Sequence, residues 1–374
     1  MKKKIEFSFC ISLTYSYLCR IIQLIIMKKR QKSIYLLSGI GCLLLFFAIL
    51  AYFFLTPLSK SGQTEYLYVD NDDTVDSVFV KLSSIGNNHS ISGMKTLIRH
   101  SSYADNIRSG RYAIDDDDCA LTVFRRLKNG QQEPLNLTIP SVRTVDRLGA
   151  ELGKKLMLDS ATIVEALTDT ATCQKYGYEP ATIVCMFVPN TYELYWNVGL
   201  EKFLDRMKKE SDAFWKGDRQ AKADKMGLTP VEVITLASIV DEETANNAEK
   251  PMIAGMYLNR LRLKNGEYPN GMPLQADPTI KFAWQKFELK RIYNKLLSID
   301  SPYNTYRRAG LPPGPIRIPT VAGIDAVLNY AHHNYLYMCA KEDFSGIHNF
   351  AATYSEHLQN AARYSKALNS RGIQ

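Results

Sequence analysis

The 374-residue chain has no CxxC pair and no Cys/His cluster at zinc-ligand spacing, although it holds 7 cysteines and 6 histidines. A structural zinc site is therefore not expected. A basic stripe is also missing from most of the chain. The formal charge is +8, but Lys2, Lys3, Lys4, Arg20, Lys28, Lys29, Arg30 and Lys32 supply eight of the 46 basic residues against the single acid Glu6. Beyond residue 32 the chain carries 38 basic and 37 acidic side chains. No Lys/Arg-rich face remains for a phosphate backbone, so nucleic acid is not the expected partner. The acidic run Asp115–Asp118 lacks the alternating ligands and the glycine of a calcium loop. It reads instead as the cap of a following helix.

Cys10, Cys19 and Cys42 lie in apolar N-terminal segments. Cys119, Cys173, Cys185 and Cys339 lie beyond them, where a Cys173–Cys185 disulfide and a set of buried free thiols both fit. Ile34–Leu55 is an apolar run of about 22 residues, enough to span a bilayer. Lys28, Lys29, Arg30 and Lys32 precede it, which puts residues 1–33 in the cytoplasm and the rest outside. The run is long and no small-residue cleavage site closes it, so it reads as an uncleaved anchor. Cys42 sits within continuing apolar sequence and makes no lipoprotein site. Residues 1–26 contain a further apolar run broken by Arg20 and Gln23, and Met27-Lys28-Lys29-Arg30 resembles a natural start. They are expected to be an over-extended start or a second, weak membrane helix.

The expected fold class is α+β: an N-terminal transmembrane helix, a small α/β module over 64–140, then a mixed α+β domain over 141–370. In the module, Glu65–Val69, Arg111–Ile114 and Leu135–Ile139 read as strands. Thr74–Leu82, Gly93–Ile98 and Leu121–Leu127 read as helices. Downstream, helices are expected at Thr144–Leu156, Ser160–Leu167, Leu200–Trp215 and about Glu249–Leu263, with Ile183–Val188 strand-like. Tyr335–Ala340 and Ile347–Phe350 read as a hairpin, and Thr353-Tyr354-Ser355-Glu356 as the capping box of a last helix.

Thr229–Thr279 is the stretch richest in chemistry. Thr229-Pro230-Val231-Glu232 opens a helix with an N-cap, a proline at the first position and a capping-box glutamate. Val233, Ile234, Leu236, Ala237, Ile239 and Val240 make it apolar on most faces, hence buried. It ends in Asp241, Glu242 and Glu243. Glu243 follows Ile239 by four residues and Leu236 by seven, so it shares their face. Desolvation there raises a carboxyl pKa, and a glutamic acid protonated near neutral pH can act as a general acid. The alternative is a solvated acidic helix end. Two loops rich in Gly and Pro follow, Lys264–Pro278 and Ser301–Pro319. The second is dense in Tyr, Asn and Arg and suits a polysaccharide groove.

These residues carry a resemblance. Ala237-Ser238-Ile239-Val240-Asp241-Glu242-Glu243-Thr244 resembles the Ala-Ser-Ile-Val-Glu-x-Glu-Thr motif of the endolytic murein transglycosylase family (MltG, or YceG-like). Ala254–Leu261, Met272–Thr279, Ser301–Tyr306, Leu311–Ile316, Tyr335-Leu336-Tyr337 and His348-x-Phe350 match the same family in order. The 64–140 module is similar to its LysM-like subdomain. The resemblance implies a lyase that cleaves MurNAc-β-1,4-GlcNAc bonds within peptidoglycan glycan strands and leaves 1,6-anhydro-MurNAc ends, terminating or trimming nascent strands. By motif position Glu243 is the catalytic residue, while the family's first glutamate is Asp241 here. No metal or cofactor is implied. Candidate sugar contacts are Asn259, Gln275, Asp277, Tyr303, Asn304 and Tyr306, although Asn259 and Asp277 fit equally as loop braces. The implied partners are glycan strands, the membrane through one helix, and cell-wall synthesis enzymes. The implied location is the outer, periplasmic face of the bacterial cytoplasmic membrane. Two other functions fit the sequence: a non-catalytic peptidoglycan-binding scaffold, and a hydrolytic muramidase whose second carboxylate is Asp277 or Asp241.

Overall fold

The computed structural model describes residues 2–289 and 291–371, with side chains from residue 15 onward. Met1 and the side chains of residues 2–14, Cys10 among them, lie outside the described set. The chain divides into two compact units, Met1–Glu133 and Pro134–Gln374.

The first unit opens with α1 (Lys2–Phe54), a helix of 53 residues. It is continuous through the basic cluster at 28–32 because Lys, Arg and Gln are all good helix formers. The stretch Tyr15–Phe54 is 40 residues long and apolar enough to cross a membrane, and it includes the expected anchor. At about 1.5 Å per residue it would be roughly twice as long as a bilayer core is thick. The basic cluster at 28–32 divides it into an apolar C-terminal half, long enough to span a bilayer, and an N-terminal half.

After it come β1 (Glu65–Val69), α2 (Val75–Ile85), α3 (Asn88–Arg99), β2 (Gly110–Ile114) and α4 (Ala120–Asn129). The strands pair antiparallel, from Glu65 opposite Ile114 to Val69 opposite Gly110. Leu67, Val69, Leu82, Met94, Tyr112, Ile114 and Leu127 form their core. The acidic run does not cap α4. Asp118 accepts from the Asp115 backbone at 2.7 Å and pairs with Arg126, while Cys119 holds the cap position without a side-chain bond to the helix N–H groups. A carboxylate beside an arginine is satisfied without the helix terminus.

The second unit contains β3 (Leu135–Thr138), α5 (Val145–Gly153), α6 (Ser160–Thr168), α7 (Thr170–Lys175), β4 (Thr191–Leu194), α8 (Leu200–Trp215) and α9 (Asp218–Met226). The strand expected to close the upstream module, β3, pairs antiparallel with β4 and so belongs here. The expected strand at Ile183–Val188 is instead a short 3-10 turn, Ile183–Met186, buried in the core formed with Leu148, Ile163 and Phe203. Its β-branched residues fill a core, but no strand lies beside it to complete a ladder. Cys173 and Cys185 are both buried free thiols, which removes the disulfide alternative.

The rest builds the site: α10 (Pro230–Glu243), α11 (Lys250–Arg262), α12 (Asp277–Ala283), α13 (Val321–Leu328), β5 (Tyr337–Ala340), β6 (His348–Ala351) and α14 (Tyr354–Ser370). The capping box forms as expected: Thr229 Oγ1 accepts from Glu232 N at 3.2 Å and Glu232 Oε2 from Thr229 N at 2.8 Å. Val233 to Val240 are all buried. Helix α11 packs beside α10, and Gly255 explains how the next segment docks on it. A Cβ there would lie 2.2 Å from the Ala331 carbonyl oxygen and 2.8 Å from His333 Nε2. Gly255→Ala is therefore expected to destabilise the protein by about 2 kcal/mol, because backbone has to move. Urea unfolding of the two proteins measures this, and equal midpoints would contradict it.

Candidate active site

Helix α10 is buried over two turns, Val233–Val240, and emerges beyond them at its C-terminal end, which sets Asp241, Glu242 and Glu243 in three different environments. Asp241 points into protein. Its Oδ1 lies 2.7 Å from Lys250 Nζ, and its Oδ2 accepts from Thr320 N at 2.6 Å. The two charged side chains are 2% and 5% exposed. This buried pair ties α10 to the first residue of α11 and to the N-cap of α13. Both of its oxygens are thus engaged within the protein, and Asp241 does not line the cleft described next. Glu242 turns another way. It accepts from Arg143 Nε at 2.8 Å and Arg317 Nη1 at 2.9 Å.

Glu243 alone of the three lines a cleft, whose volume is about 220 Å³. Tyr257 of α11 donates its hydroxyl to Glu243 Oε1 at 2.7 Å. The residue is half-buried by exposed area, but protein packs densely around its carboxyl. Desolvation is the main cause that pushes its pKa up, to about 7 from 4.5. The charges of Asp277 and Glu242 push the same way, whereas the Tyr257 hydrogen bond and Lys281 oppose. A carboxyl poised there is protonated or ionised with equal ease at neutral pH. Tyr257→Phe removes the donor that favours the ionised form. It is expected to raise the Glu243 pKa by about one further unit, the worth of one such bond. Carbon-13 titration of the side-chain carboxyl reads this, and a pKa that stays put or falls would contradict it.

The opposite wall comes from Leu274–Asp277 and Tyr306, and the far end from β5 and β6. Tyr306 donates to Asp277 Oδ1 at 2.5 Å. Burial, followed by that carboxylate, pushes the Tyr306 hydroxyl pKa well up, so it stays a donor. Gln275 has φ +54°, a left-handed conformation uncommon for a side-chain-bearing residue. Its backbone N–H donates to Thr305 O at 3.0 Å, and Ala276 N to Thr305 Oγ1 at 3.1 Å. These bonds lock the two Gly/Pro-rich loops together. Arg260 is buried behind them and donates to the carbonyls of Leu336, Pro273 and Leu274 at 2.5, 3.1 and 2.7 Å. It thereby clasps the residue just before β5 to the Leu274 segment.

Of the residues singled out in the sequence, Glu243, Gln275, Asp277 and Tyr306 meet in this cleft. Three others do not. Asn259 donates to the carbonyls of His333 and Tyr335 at 2.8 and 3.0 Å, fixing the segment that Gly255 admits. Asn304 is 1% exposed, and its amide donates to the carbonyls of Leu297 and Ile299 at 2.9 and 2.8 Å. Tyr303 packs its ring on Phe282, 4.7 Å between centroids. None of the three lines the cleft. Conversely, Tyr257, Arg260 and His348 line it without having been singled out as site residues. Tyr257 and Arg260 lie three apart on a mostly apolar helix. That spacing aims two polar side chains at one place, and it was the available signal.

The YceG-like family profile matches residues 67–363. An endolytic murein transglycosylase of Bacillus subtilis is 32% identical over 175 residues, 47% of this chain and 46% of the relative. One from Streptococcus pneumoniae is 25% identical over 296 residues, 71% of this chain and 52% of the relative. The chain thus spans about half the length of the curated relatives it matches. A solved YceG-like protein from Listeria monocytogenes shares the fold with a TM-score of 0.50 at 24% identity, over 79% of this chain and 99% of that one. On a family match that covers most of its length and the cleft that its motifs build, this chain belongs to the YceG-like family.

Proposed function

We propose that the protein is a membrane-anchored endolytic peptidoglycan transglycosylase that cleaves MurNAc-β-1,4-GlcNAc bonds and leaves 1,6-anhydro-MurNAc ends. The observation that carries this reading is one carboxyl, Glu243, poised near pH 7 in a polar cleft. Protonated Glu243 gives its proton to the glycosidic oxygen as the bond from C1 breaks. The resulting carboxylate then takes the proton of the C6 hydroxyl while that oxygen bonds to C1 of the same ring. Glu243 ends the cycle protonated, and no water is consumed. Because the attack is intramolecular, a single acid–base group suffices. Gln275, Asp277 and Tyr306 are the proposed sugar contacts, supported by their place in the lining of the cleft. The experiment is digestion of purified glycan strands, with product masses read for wild type and Glu243→Gln.

A second reading keeps Asp277 as a base that activates water, since it lines the same cleft and its charge acts on Glu243. That route leaves reducing ends, one water heavier than anhydro ends. The scaffold alternative predicts no products.

The 64–140 module is proposed to be LysM-like and glycan-binding, supported by the β–α–α–β order and the antiparallel strand pair within it. A chain lacking it that still sediments with insoluble peptidoglycan as well as the full chain would count against this. The proposed orientation puts the second unit on the outer face, supported by the basic residues before the apolar half of α1. In a cysteine-free background, Ser370→Cys is expected to react with an impermeant thiol reagent while the cytoplasmic membrane is intact. Protection would reverse the orientation and remove peptidoglycan as substrate. Association with wall-synthesis enzymes would follow from acting on nascent strands, and co-purification with them is the check.

A further inference from the structure

His348 lies at the start of β6 and lines the cleft that Glu243 lines. It is held unusually firmly. Its backbone N–H donates to Glu249 Oε1 at 2.6 Å, and its ring Nδ1 lies 3.1 Å from Glu249 Oε2. Glu249 is only 7% exposed, in the turn just before α11. A carboxylate can only accept, so Nδ1 carries a ring proton, and Nε2 is the ring nitrogen left without a bond to Glu249. Several other polar groups of the cleft already have partners within the protein. The Tyr257 and Tyr306 hydroxyls are spent on Glu243 and Asp277, and Gln275 Oε1 faces Arg260 at 3.3 Å. We propose that His348 Nε2 is the group that orients the sugar in this cleft, through a hydrogen bond with a ring hydroxyl or with the acetamido group. Glu249 acts through it as a positioning residue, fixing the ring's tautomer and direction.

The inference rests on the glycan reading of the cleft, and the test separates the two. His348→Asn keeps a donor for Glu249 but leaves nothing in the place of Nε2. His348→Gln reaches that place with an amide oxygen. His348→Asn is expected to lower kcat/KM on glycan strands about tenfold through KM, the worth of one hydrogen bond, with part of the loss restored in His348→Gln. A folded His348→Asn that cleaves as well as wild type would overturn the proposal. The second measurement needs no change at His348. Ring nitrogen-15 spectra of the full Glu243→Gln chain in nanodiscs are recorded with a β-1,4-linked N-acetylglucosamine oligomer and with a β-1,4-linked glucose oligomer. A shift of His348 Nε2 with both sugars assigns the bond to a hydroxyl, and a shift with the N-acetylated oligomer alone assigns it to the acetamido group. If other cleft signals move while His348 Nε2 does not, this inference falls and the glycan reading stands. If no cleft signal moves, both fall together.

Discussion

Glu243→Gln is expected to lower glycan-strand cleavage by about 10³-fold, within the range for loss of a general acid. The amide matches the carboxyl in shape and still accepts from Tyr257, but it can neither give nor take the proton. The same substitution is expected to make the protein more stable in neutral and alkaline solution. Burial raises the carboxyl from 4.5 to about 7. Between those values the folded state keeps a proton that the unfolded chain has released. Stability is therefore lost as pH rises from the lower value to the upper, and the cost is complete above it. Removing the ionisable group should restore on the order of 2 kcal/mol at pH 8 and little at pH 4. Cleavage by wild type should likewise fall as pH rises through about 7. Thermal midpoints of both proteins across this range test the claim. A variant less stable than wild type at pH 8 would mean that Glu243 is a satisfied structural carboxylate.

Asp241→Ala should act on stability instead. It leaves Lys250, 5% exposed, without its partner and frees the N-cap of α13. Breaking one side of a buried ion pair costs about 3–5 kcal/mol, because the remaining charge stays buried. The expected result is a large drop in denaturant midpoint, with cleavage per folded molecule close to wild type. A variant that keeps its midpoint but loses turnover would return Asp241 to the reaction as a second carboxylate. The large cost also explains why an aspartate serves here. What this position supplies is a charge for Lys250 and an acceptor for Thr320.

Much of the site was legible in the sequence where local rules decide. Thr229 with Glu232 and Thr353 with Glu356 form the expected capping boxes, because a cap depends on residues three apart. Glu243 was readable because its face is set by the spacing to Leu236 and Ile239. Loop residues were not. Asn304 and Tyr306 lie two apart in one loop, yet Asn304 turns inward to two carbonyls and Tyr306 turns to Asp277. Nothing in a Gly/Pro-rich segment has a period that tells inside from outside. Asn259 fits a sugar contact and a loop brace equally in the sequence, and the carbonyls that engage its amide lie more than seventy residues away. Long-range pairing hid the strands too. Leu135–Thr138 looks like the end of the upstream module and pairs with Thr191–Leu194 instead.

The central claim is that one carboxyl works without water. Mass analysis of glycan strands digested by the wild-type full chain addresses it most directly. Products ending in 1,6-anhydro-MurNAc, absent with Glu243→Gln, are the expected result. Products ending in reducing MurNAc, each one water heavier, would contradict it and make Asp277 the base of a hydrolase.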